Sequence, residues 1–239
     1  MLINRGQVRR ARPLLESALA RAREPDLRAR IEASLAYVAA ETGEPDAALA
    51  MCDRALERGG ITTAARGILA NQRALLLMRR GETGSALQAF AEALDALDDP
   101  AELGKAHVNR GNVYLQQARP RDAADDYASA VTELQRAGRE TDAAMAEHNL
   151  GYAAFLAGDM VGALRHMDAA RRVLADVSPV VRAIGDQDRA EVLLASGLLT
   201  EGTELLRHAA RDYGDRRLRQ RQGEAELVLA RHLAIVDPS

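Results

Sequence analysis

The chain has 239 residues, of which 47% are apolar and 28% are charged, and its formal net charge at pH 7 is -3. This composition excludes an extended disordered protein, and the net negative charge argues against a nucleic-acid-binding protein. Aromatic residues make up only 3% and tryptophan is absent, while strong helix formers are abundant, so the composition favours an all-α protein.

Six copies of one short pattern predict the order of the elements along the chain. Each copy has a glycine followed by alanine five and twelve residues later, except that Ala118 replaces one glycine and Gly202 replaces one alanine. The copies begin 37 to 40 residues apart, at Gly6, Gly43, Gly81, Ala118, Gly158 and Gly197. Such a span is too short for a separate core but long enough for two packed helices, so neighbouring repeats must stack.

Each repeat is predicted to form a helix, a tight turn and a second helix. We place the repeats at about residues 1–24, 27–60, 64–99, 101–137, 141–177 and 180–214, followed by a terminal helix at about 215–236 that caps the stack. The loops between them are short and rich in glycine and proline, so residues 1–239 are predicted to form a single array. The first repeat has room for one helix only, from about Gln7 to Arg23, which is typical of a piece of a longer array.

The second helices carry a regular pattern of small and large residues. A small residue lies about one and a half turns into the helix, where a larger one would push the helix off its partner, at Ala48, Ala86, Ala123 and Ala163. A bulkier residue follows four positions later and is predicted to fill the gap between hairpins, at Leu15, Cys52, Phe90, Tyr127, Met167 and Leu206. Cys52 is therefore expected to be a buried, unreactive thiol.

The sequence offers no arrangement of residues that is typical of catalysis. No pair of histidines has metal-ligand spacing, and neither a phosphate-binding glycine-rich loop nor a nucleophile elbow occurs. We therefore expect no enzyme activity, no metal and no cofactor in this chain. No apolar stretch approaches the roughly 20 residues that span a bilayer, and we expect a cytoplasmic protein.

The free face of the first helices is the predicted binding surface. Read at steps of three and four residues, this face mixes amide, aromatic and apolar side chains, which suit an extended peptide because amides can pair with its backbone. The candidate contacts are Asn71, Lys105, Asn109, Asn112, His148, Asn149 and Tyr152. For Asn109 and Asn149, hydrogen bonding between adjacent helices is an equally good interpretation.

Two segments resemble the tetratricopeptide repeat (TPR): residues 109–114 followed by Ala123, Tyr127 and Ala130, and residues 149–151 followed by Gly158, Ala163 and Ala170. The resemblance covers about residues 1–210. It implies a right-handed superhelical solenoid of five to six helix hairpins that binds proteins without catalysis. The repeats are longer than the usual 34 residues of the family.

Some residues depart from the family pattern. Arg73, Arg110 and Arg189 stand where the motif prefers leucine. The family's carboxylate-binding clamp is matched only in part, by Lys105 and Asn112, because Val108 replaces an expected lysine.

Residues 149–159 and 178–194 are also similar to the repeat arrays that precede caspase-like CHAT protease domains in actinobacterial proteins. That resemblance implies a regulatory or recruiting array whose protease domain lies outside this chain. The competing prediction is a sensor module of a transcriptional or signalling regulator, whose basic ends contact nucleic acid or an acidic partner. An enzyme that acts alone is the third alternative.

Overall fold

A computed structural model describes residues 5–236, with the side chains of residue 8 and of residues 10–232; residues 1–4 and 237–239 lie outside the described part. Within the described part the chain forms twelve α-helices and no strand, which confirms the all-α prediction. The helices are α1 Arg5–Arg21, α2 Pro25–Glu41, α3 Pro45–Glu57, α4 Thr63–Arg79, α5 Thr83–Ala96, α6 Pro100–Gln116, α7 Pro120–Arg136, α8 Glu140–Leu156, α9 Met160–Leu174, α10 Pro179–Ala195, α11 Leu199–Asp215 and α12 Arg219–Val236.

The helices divide into two compact units. The first ends at Gln117 and contains α1 to α6, and the second begins at Ala118 and contains α7 to α12. Complete hairpins within the units are α2/α3, α4/α5, α8/α9 and α10/α11. The single array predicted over residues 1–239 stays a prediction.

Consecutive first helices of the hairpins contact each other within each unit. In the first unit α2 contacts α4 and α4 contacts α6, and in the second unit α8 contacts α10. Among the described helices, consecutive second helices make no comparably extensive contact. Consecutive hairpins also pack through the second helix of one and the first helix of the next, as α3 with α4, α5 with α6 and α9 with α10. The first helices that lie next to each other share one surface in each unit. We call this surface the first-helix wall of the unit.

The predicted turns are confirmed by the backbone. Gly43, Gly81, Gly158 and Gly197 all have positive φ, between 79° and 94°. At the first of these turns the amide of Glu44 donates to the carbonyl of Ala39 at 2.9 Å, which closes the end of α2. A left-handed residue after a helix satisfies its last carbonyls in this way, and glycine adopts this conformation without a Cβ clash.

Proline and capping residues fix the starts of many helices. Five helices carry proline at their first turn, where no backbone N–H is needed. In four helices a side-chain oxygen before the first turn accepts a backbone N–H of that turn, and two of these helices, α6 and α10, also carry the proline. The capping residues are Thr62, Asp99, Asp159 and Ser178. These local signals explain why the helix bounds follow the sequence closely.

The small and large residues of the second helices form the core as predicted. Ala48, Ala86, Ala123 and Ala163 are fully buried, and so are the larger residues Cys52, Phe90, Tyr127, Met167 and Leu206, whereas Leu15 is half-buried. The helices approach so closely that a Cβ on Gly151 would lie 2.9 Å from Cγ of Met167 and 3.0 Å from the carbonyl oxygen of Ala163. The contact between α8 and α9 therefore has no room for a side chain at position 151.

The terminal helix begins later than the sequence indicates. The predicted start at Asp215 is wrong, because α11 continues through Asp215 and α12 begins at Arg219. The turn between them places Arg217 at φ 56°, and the amide of Leu218 donates to the carbonyl of Tyr213 at 2.9 Å. The turn has the form of the glycine turns but no glycine at its left-handed position, so the repeat pattern does not mark it.

Two arginines that replace the motif's leucine form ion pairs between repeats. Nε of Arg73 on α4 donates to Oδ1 of Asp53 on α3 at 2.7 Å, and Nε of Arg189 on α10 donates to Oδ1 of Asp168 on α9 at 2.7 Å. Each aspartate directly follows the residue that fills the gap between hairpins. Arg110 instead has its guanidinium 5.9 Å from the centre of the Tyr114 ring. Each of the three arginines that replace the motif's leucine thus contacts a specific side chain.

No helix in the described part of the chain has the length and apolar character needed to cross a membrane.

Candidate functional site

The predicted contact residues are divided between the two first-helix walls. Asn71 on α4 and Lys105, Asn109 and Asn112 on α6 belong to the first unit. His148, Asn149 and Tyr152 belong to α8 of the second unit. The two walls are therefore described separately.

In the first unit the amides of Asn71 and Asn109 contact each other. Nδ2 of Asn109 donates to Oδ1 of Asn71 at 3.4 Å, and this long hydrogen bond joins the adjacent helices α6 and α4. The bond matches the alternative interpretation of Asn109, in which its amide connects neighbouring first helices. At 3.4 Å the bond is weak, so a ligand that offers a better partner can replace it.

Lys105 and Asn112 lie on the same wall in different environments. Lys105 is exposed, and its Nζ lies 2.8 Å from Oε1 of Glu102 on the same helix, whereas Asn112 is half-buried. The two residues are two helical turns apart on α6. Because the ammonium of Lys105 already has a carboxylate partner, binding of a ligand carboxylate has to compete with Glu102.

A cation also lies over a tyrosine ring in the first unit. The guanidinium carbon of Arg79 on α4 is 5.8 Å from the centre of the Tyr37 ring on α2, and its Nη1 is 2.6 Å from Oε1 of Glu41. Burial is the main cause that raises the pKa of Tyr37; the charge of Glu41 raises it further and Arg79 opposes both. Arg79 therefore covers the face of the Tyr37 ring and also forms an ion pair with Glu41.

In the second unit His148 links the two first helices. Nε2 of His148 on α8 and Oδ2 of Asp188 on α10 are 2.8 Å apart, and only 14% and 26% of these side chains are exposed. The short, partly buried contact fixes the orientation of the imidazole. His148 was predicted from the sequence as a contact residue, but its partner Asp188 was not.

Tyr152 on α8 and Glu191 on α10 are both half-buried on this wall. Burial is the main cause that raises the pKa of Glu191, and the charge of Asp188 raises it further, while a hydrogen bond with Gln187 and the charge of His232 lower it. Burial also raises the pKa of Tyr152, and the charges of Glu191 and Asp188 add to that rise. The phenol and two carboxylates therefore share one half-buried surface.

The rest of this surface is aromatic and amide in character. The ring centres of Tyr152 and Phe155 are 6.2 Å apart, and the hydroxyl of Tyr213 donates to Oε1 of Gln187 at 3.0 Å. Asn149 is half-buried on α8. We call the surface formed by His148, Tyr152, Phe155, Gln187, Asp188 and Glu191 the α8–α10 wall.

Asp188 and Glu191 are the residues that sequence reasoning left out of the site. Glu191 and Gln187 lie on the predicted free face of α10 but were not selected as contacts. Asp188 lies nine residues before its turn glycine, as Asn149 does, and Asn109 has the same position relative to Ala118. That shared repeat position was the signal from which Asp188 could have been included.

The second unit contains a small cavity and the first unit a wider groove. The cavity of about 20 Å³ lies beside α9 and α10 of the second unit, enough space for about one water molecule. A shallow groove of about 560 Å³ in the first unit is lined by Leu19, Glu32, Met51, Arg54, Ala55, Glu57 and Arg58.

Burial raises the pKa of the Cys52 thiol to about 12, so this cysteine is a poor nucleophile at neutral pH. Among the described residues, no three side chains form a cluster that could hold a metal ion.

Solved structures with a similar fold contain TPR-like repeats. BtubC (BKLC) from P. vanneervenii is 17% identical and superposes with a TM-score of 0.76 over 88% of this chain and 92% of that chain. YrrB, described as a TPR protein with an unusual peptide-binding site, is 20% identical, with a TM-score of 0.58 over 85% of this chain and 94% of that chain.

A third similar structure is a signal-transduction ATPase of the STAND class with a tetratricopeptide repeat sensor, from Pyrococcus horikoshii. It is 13% identical, with a TM-score of 0.72 over 91% of this chain and 37% of that chain. A scan against protein-family models found no match. A search of curated proteins found none either. At these identities the similarity establishes the fold of TPR-like helix hairpins.

Proposed function

We propose that this chain is a non-catalytic scaffold whose first-helix walls bind an extended segment of a peptide or protein. The observation that carries the proposal is the α8–α10 wall, where aromatic rings, an amide and two carboxylates meet on adjacent helices and remain partly exposed. Such a surface can hold alternate side chains of an extended peptide and pair with its backbone.

The similar structures support this proposal by the functions that their descriptions give. YrrB is described as having a peptide-binding site, and the STAND ATPase as having a TPR sensor. Helix hairpins of this kind present a long surface made of successive first helices, which suits binding of extended segments. In this proposal Asn71, Lys105, Asn109 and Asn112 contribute contacts in the first unit, and His148, Asn149 and Tyr152 in the second.

Panning a random peptide library against the full chain tests the proposal without knowledge of the natural partner. Enriched peptides are resynthesised with a fluorophore, and their affinity for the chain is measured by fluorescence anisotropy. Tyr152→Ala removes the central ring of the α8–α10 wall and should weaken binding at least about tenfold, as expected for an aromatic residue at the centre of an interface.

Val161→Ala is the matched control, because Val161 lies on the second helix α9 and 81% of its side chain is exposed. This variant should bind the peptides as the unchanged chain does. The proposal fails if no peptide is enriched, or if the enriched peptides bind the Tyr152→Ala variant undiminished.

The competing proposal is a TPR sensor module of a transcriptional or signalling regulator. It is favoured by the structural similarity to a protein described as carrying a TPR sensor. If the basic ends of the chain contact nucleic acid, affinity for a DNA duplex should fall steeply with salt concentration. A filter-binding or anisotropy titration at low salt decides this, and no binding there removes the nucleic-acid form of the proposal.

Association with a CHAT protease domain is a finer form of the scaffold proposal. It is supported by the sequence resemblance of residues 149–159 and 178–194. In this form the array recruits substrates to the protease domain or regulates it, and the catalytic dyad lies on another part of the same gene product. Sequencing the open reading frame around this segment tests it, since a downstream domain with a paired histidine and cysteine is required.

A further inference from the structure

The carboxylates of the α8–α10 wall differ from the other ion-paired carboxylates of the second unit in their partners. Asp168, Asp186 and Asp212 are paired with arginines at 2.7 Å, 2.9 Å and 3.3 Å. The described contacts of Asp188 and Glu191 instead involve histidine and glutamine. This wall therefore carries two carboxylates whose described partners include no lysine or arginine.

The charged and titratable groups that face these carboxylates come from each of the packed helices. They are His148 and Tyr152 from α8, Asp188 and Glu191 themselves from α10, Tyr213 from α11 and His232 from α12. Arg221 and Glu224 of α12 act on Tyr213. The side chain of Arg221 hydrogen-bonds with Tyr213, whose hydroxyl also donates to Gln187. Arg221 is thus engaged with a tyrosine. Arg171, Arg182 and Arg189, which line a small cavity together with His148, pair with Asp186, Asp212 and Asp168.

In the first unit an arginine covers the equivalent tyrosine. Tyr37 and Tyr152 have the same repeat position, six residues before the turn glycine. Arg79 lies over the Tyr37 ring, and the position equivalent to Arg79 on α10 is the exposed Ala195. Within the described part of the chain, no lysine or arginine lies over the Tyr152 ring.

A cation at this position would be stabilised in two ways. Its charge would offset the repulsion between Asp188 and Glu191, and it would lie against the face of an aromatic ring. Burial and the neighbouring charge hold the pKa of Glu191 above its usual value, so the unliganded wall keeps a carboxylate in an unfavourable environment. Such unfavourable environments are frequent at binding sites.

We propose that the α8–α10 wall binds a lysine or arginine side chain of the partner segment, between the ring of Tyr152 and the carboxylates of Asp188 and Glu191. An apolar side chain next to that cation in the partner contacts the ring of Phe155. The inference rests on the proposed scaffold function and specifies the chemistry of its ligand. Acidic segments are excluded as ligands of this wall by the same charges.

The test compares peptides selected from a random library by the unchanged chain and by the double variant Asp188→Asn, Glu191→Gln. Peptides selected by the unchanged chain should be enriched in lysine or arginine, and this enrichment should disappear with the double variant. For the best lysine peptide, replacement by acetyl-lysine should weaken binding to the unchanged chain about tenfold and to the double variant by less than about twofold.

A second variant guards against misfolding of the first. Ala195→Arg is at an exposed position, so it disturbs no buried group, and it places an arginine where the first unit has Arg79. It should lower the affinity of the lysine peptide at least about fivefold, because the internal guanidinium competes for the ring and the carboxylates. Circular dichroism confirms that each variant keeps its helix content.

The outcomes separate this inference from the proposed function. If peptides are enriched and depend on Tyr152 but carry no excess of lysine or arginine, the scaffold proposal stands and the cation site is wrong. An unchanged affinity of the lysine peptide for Ala195→Arg also contradicts the cation site. If no peptide is enriched at all, both proposals fail.

Discussion

Ala118 shows the effect of a single residue on the turns of this protein. Its φ is 54°, whereas the four equivalent turns have glycine with φ between 79° and 94°. A side chain with a Cβ is disfavoured in the left-handed region by about 1–2 kcal/mol. The exposed alanine therefore has an unfavourable backbone conformation.

Ala118→Gly should stabilise the chain by about 0.5–1 kcal/mol. The relief of left-handed strain exceeds the greater conformational entropy that glycine gives the unfolded chain. Urea unfolding followed by circular dichroism measures the effect. Gly158→Ala is the reciprocal variant, since Gly158 has φ 90°, and it should lose about 1 kcal/mol or more. Equal stability of the unchanged chain and Ala118→Gly would show that the turn carries no strain.

Glu191 gives the chain a dependence of stability on pH. Burial and Asp188 raise its pKa above the usual value of 4.5 in the folded state. The folded protein therefore holds the proton of Glu191 up to a higher pH than the unfolded chain does. Well below pH 4.5 Glu191 is protonated in both states and does not change the free energy of unfolding. Its contribution lowers the free energy of unfolding as the pH rises from there through the raised pKa.

Glu191→Gln should remove the fall in the free energy of unfolding that Glu191 causes as the pH rises. The variant should be more stable than the unchanged chain at about pH 7.5, and the difference should shrink as the pH falls through the raised pKa and below about 4.5, where the glutamate becomes protonated in both states. Urea unfolding at several pH values measures both profiles. Glu201→Gln, at an exposed position on α11, is the control and should run parallel to the unchanged chain. A Glu191→Gln profile that is also parallel would contradict the assignment.

At the level of the helix hairpin, stability depends on close approach between two helices. Gly151 on α8 faces Met167 and the backbone of Ala163 on α9 at distances that leave no space for a methyl group. Gly202 on α11 is equally restricted, since a Cβ there would lie 2.7 Å from Cγ of Leu194. The small residues of the repeat pattern are therefore requirements of helix packing.

Gly151→Ala should destabilise the chain by about 1–3 kcal/mol, because the added methyl group overpacks the contact between α8 and α9. Gly223→Ala in α12 is the matched control: no atom lies within 4 Å of the added Cβ. There the higher helix propensity of alanine should stabilise the chain by about 0.5–1 kcal/mol. Thermal melts of both variants measure the opposite signs, and a melting temperature of Gly151→Ala that equals that of the unchanged chain would contradict this packing.

At the level of the whole chain, the contacts are mainly between neighbouring elements. Within each unit a hairpin contacts the next one along the chain, and α8 contacts α7, α9 and α10. In repeat proteins of this kind, stability is close to a sum of repeat terms and nearest-neighbour terms. A local change is therefore expected to act locally.

Hydrogen exchange of the Gly151→Ala variant tests this expectation. Exchange should become faster in α8, α9 and α10, while α2 and α3 keep the protection of the unchanged chain. Mass spectrometry of peptic peptides resolves these helices. The Gly223→Ala variant is the control and should not increase exchange in α8 or α9. Equal acceleration in every helix would instead indicate global cooperative unfolding.

Much of the fold could be predicted because its determinants are local. The period of the turns, the prolines and capping residues at helix starts, and the alternation of small and large residues all depend on neighbours within one repeat. The prediction was wrong at the start of α12, where Arg217 takes the left-handed position without a glycine to mark it. The ion pairs of Arg73 and Arg189 were recognised only as departures from a motif, because their aspartates lie 20 and 21 residues away.

The candidate site was predicted in part. The sequence identified His148 and Tyr152 as contact residues. It also put Glu191 on the free face of α10, and Asp188 has the repeat position of Asn149, but the sequence did not show that these carboxylates lie beside His148 and Tyr152. It identified Asn71 and Asn109 separately, and their mutual hydrogen bond became visible only in the folded chain. Whether the seven predicted residues bind a partner stays a prediction.

The sequence by itself determined the helix hairpins and their order, since a helix, a turn and a buried face are specified by residues close together in the chain. Only the tertiary structure decided which side chains meet across adjacent first helices. Asn71 and Asn109 are 38 residues apart, and His148 and Asp188 are 40 residues apart. Such contacts depend on the register between packed helices, which the packing of both hairpins sets together.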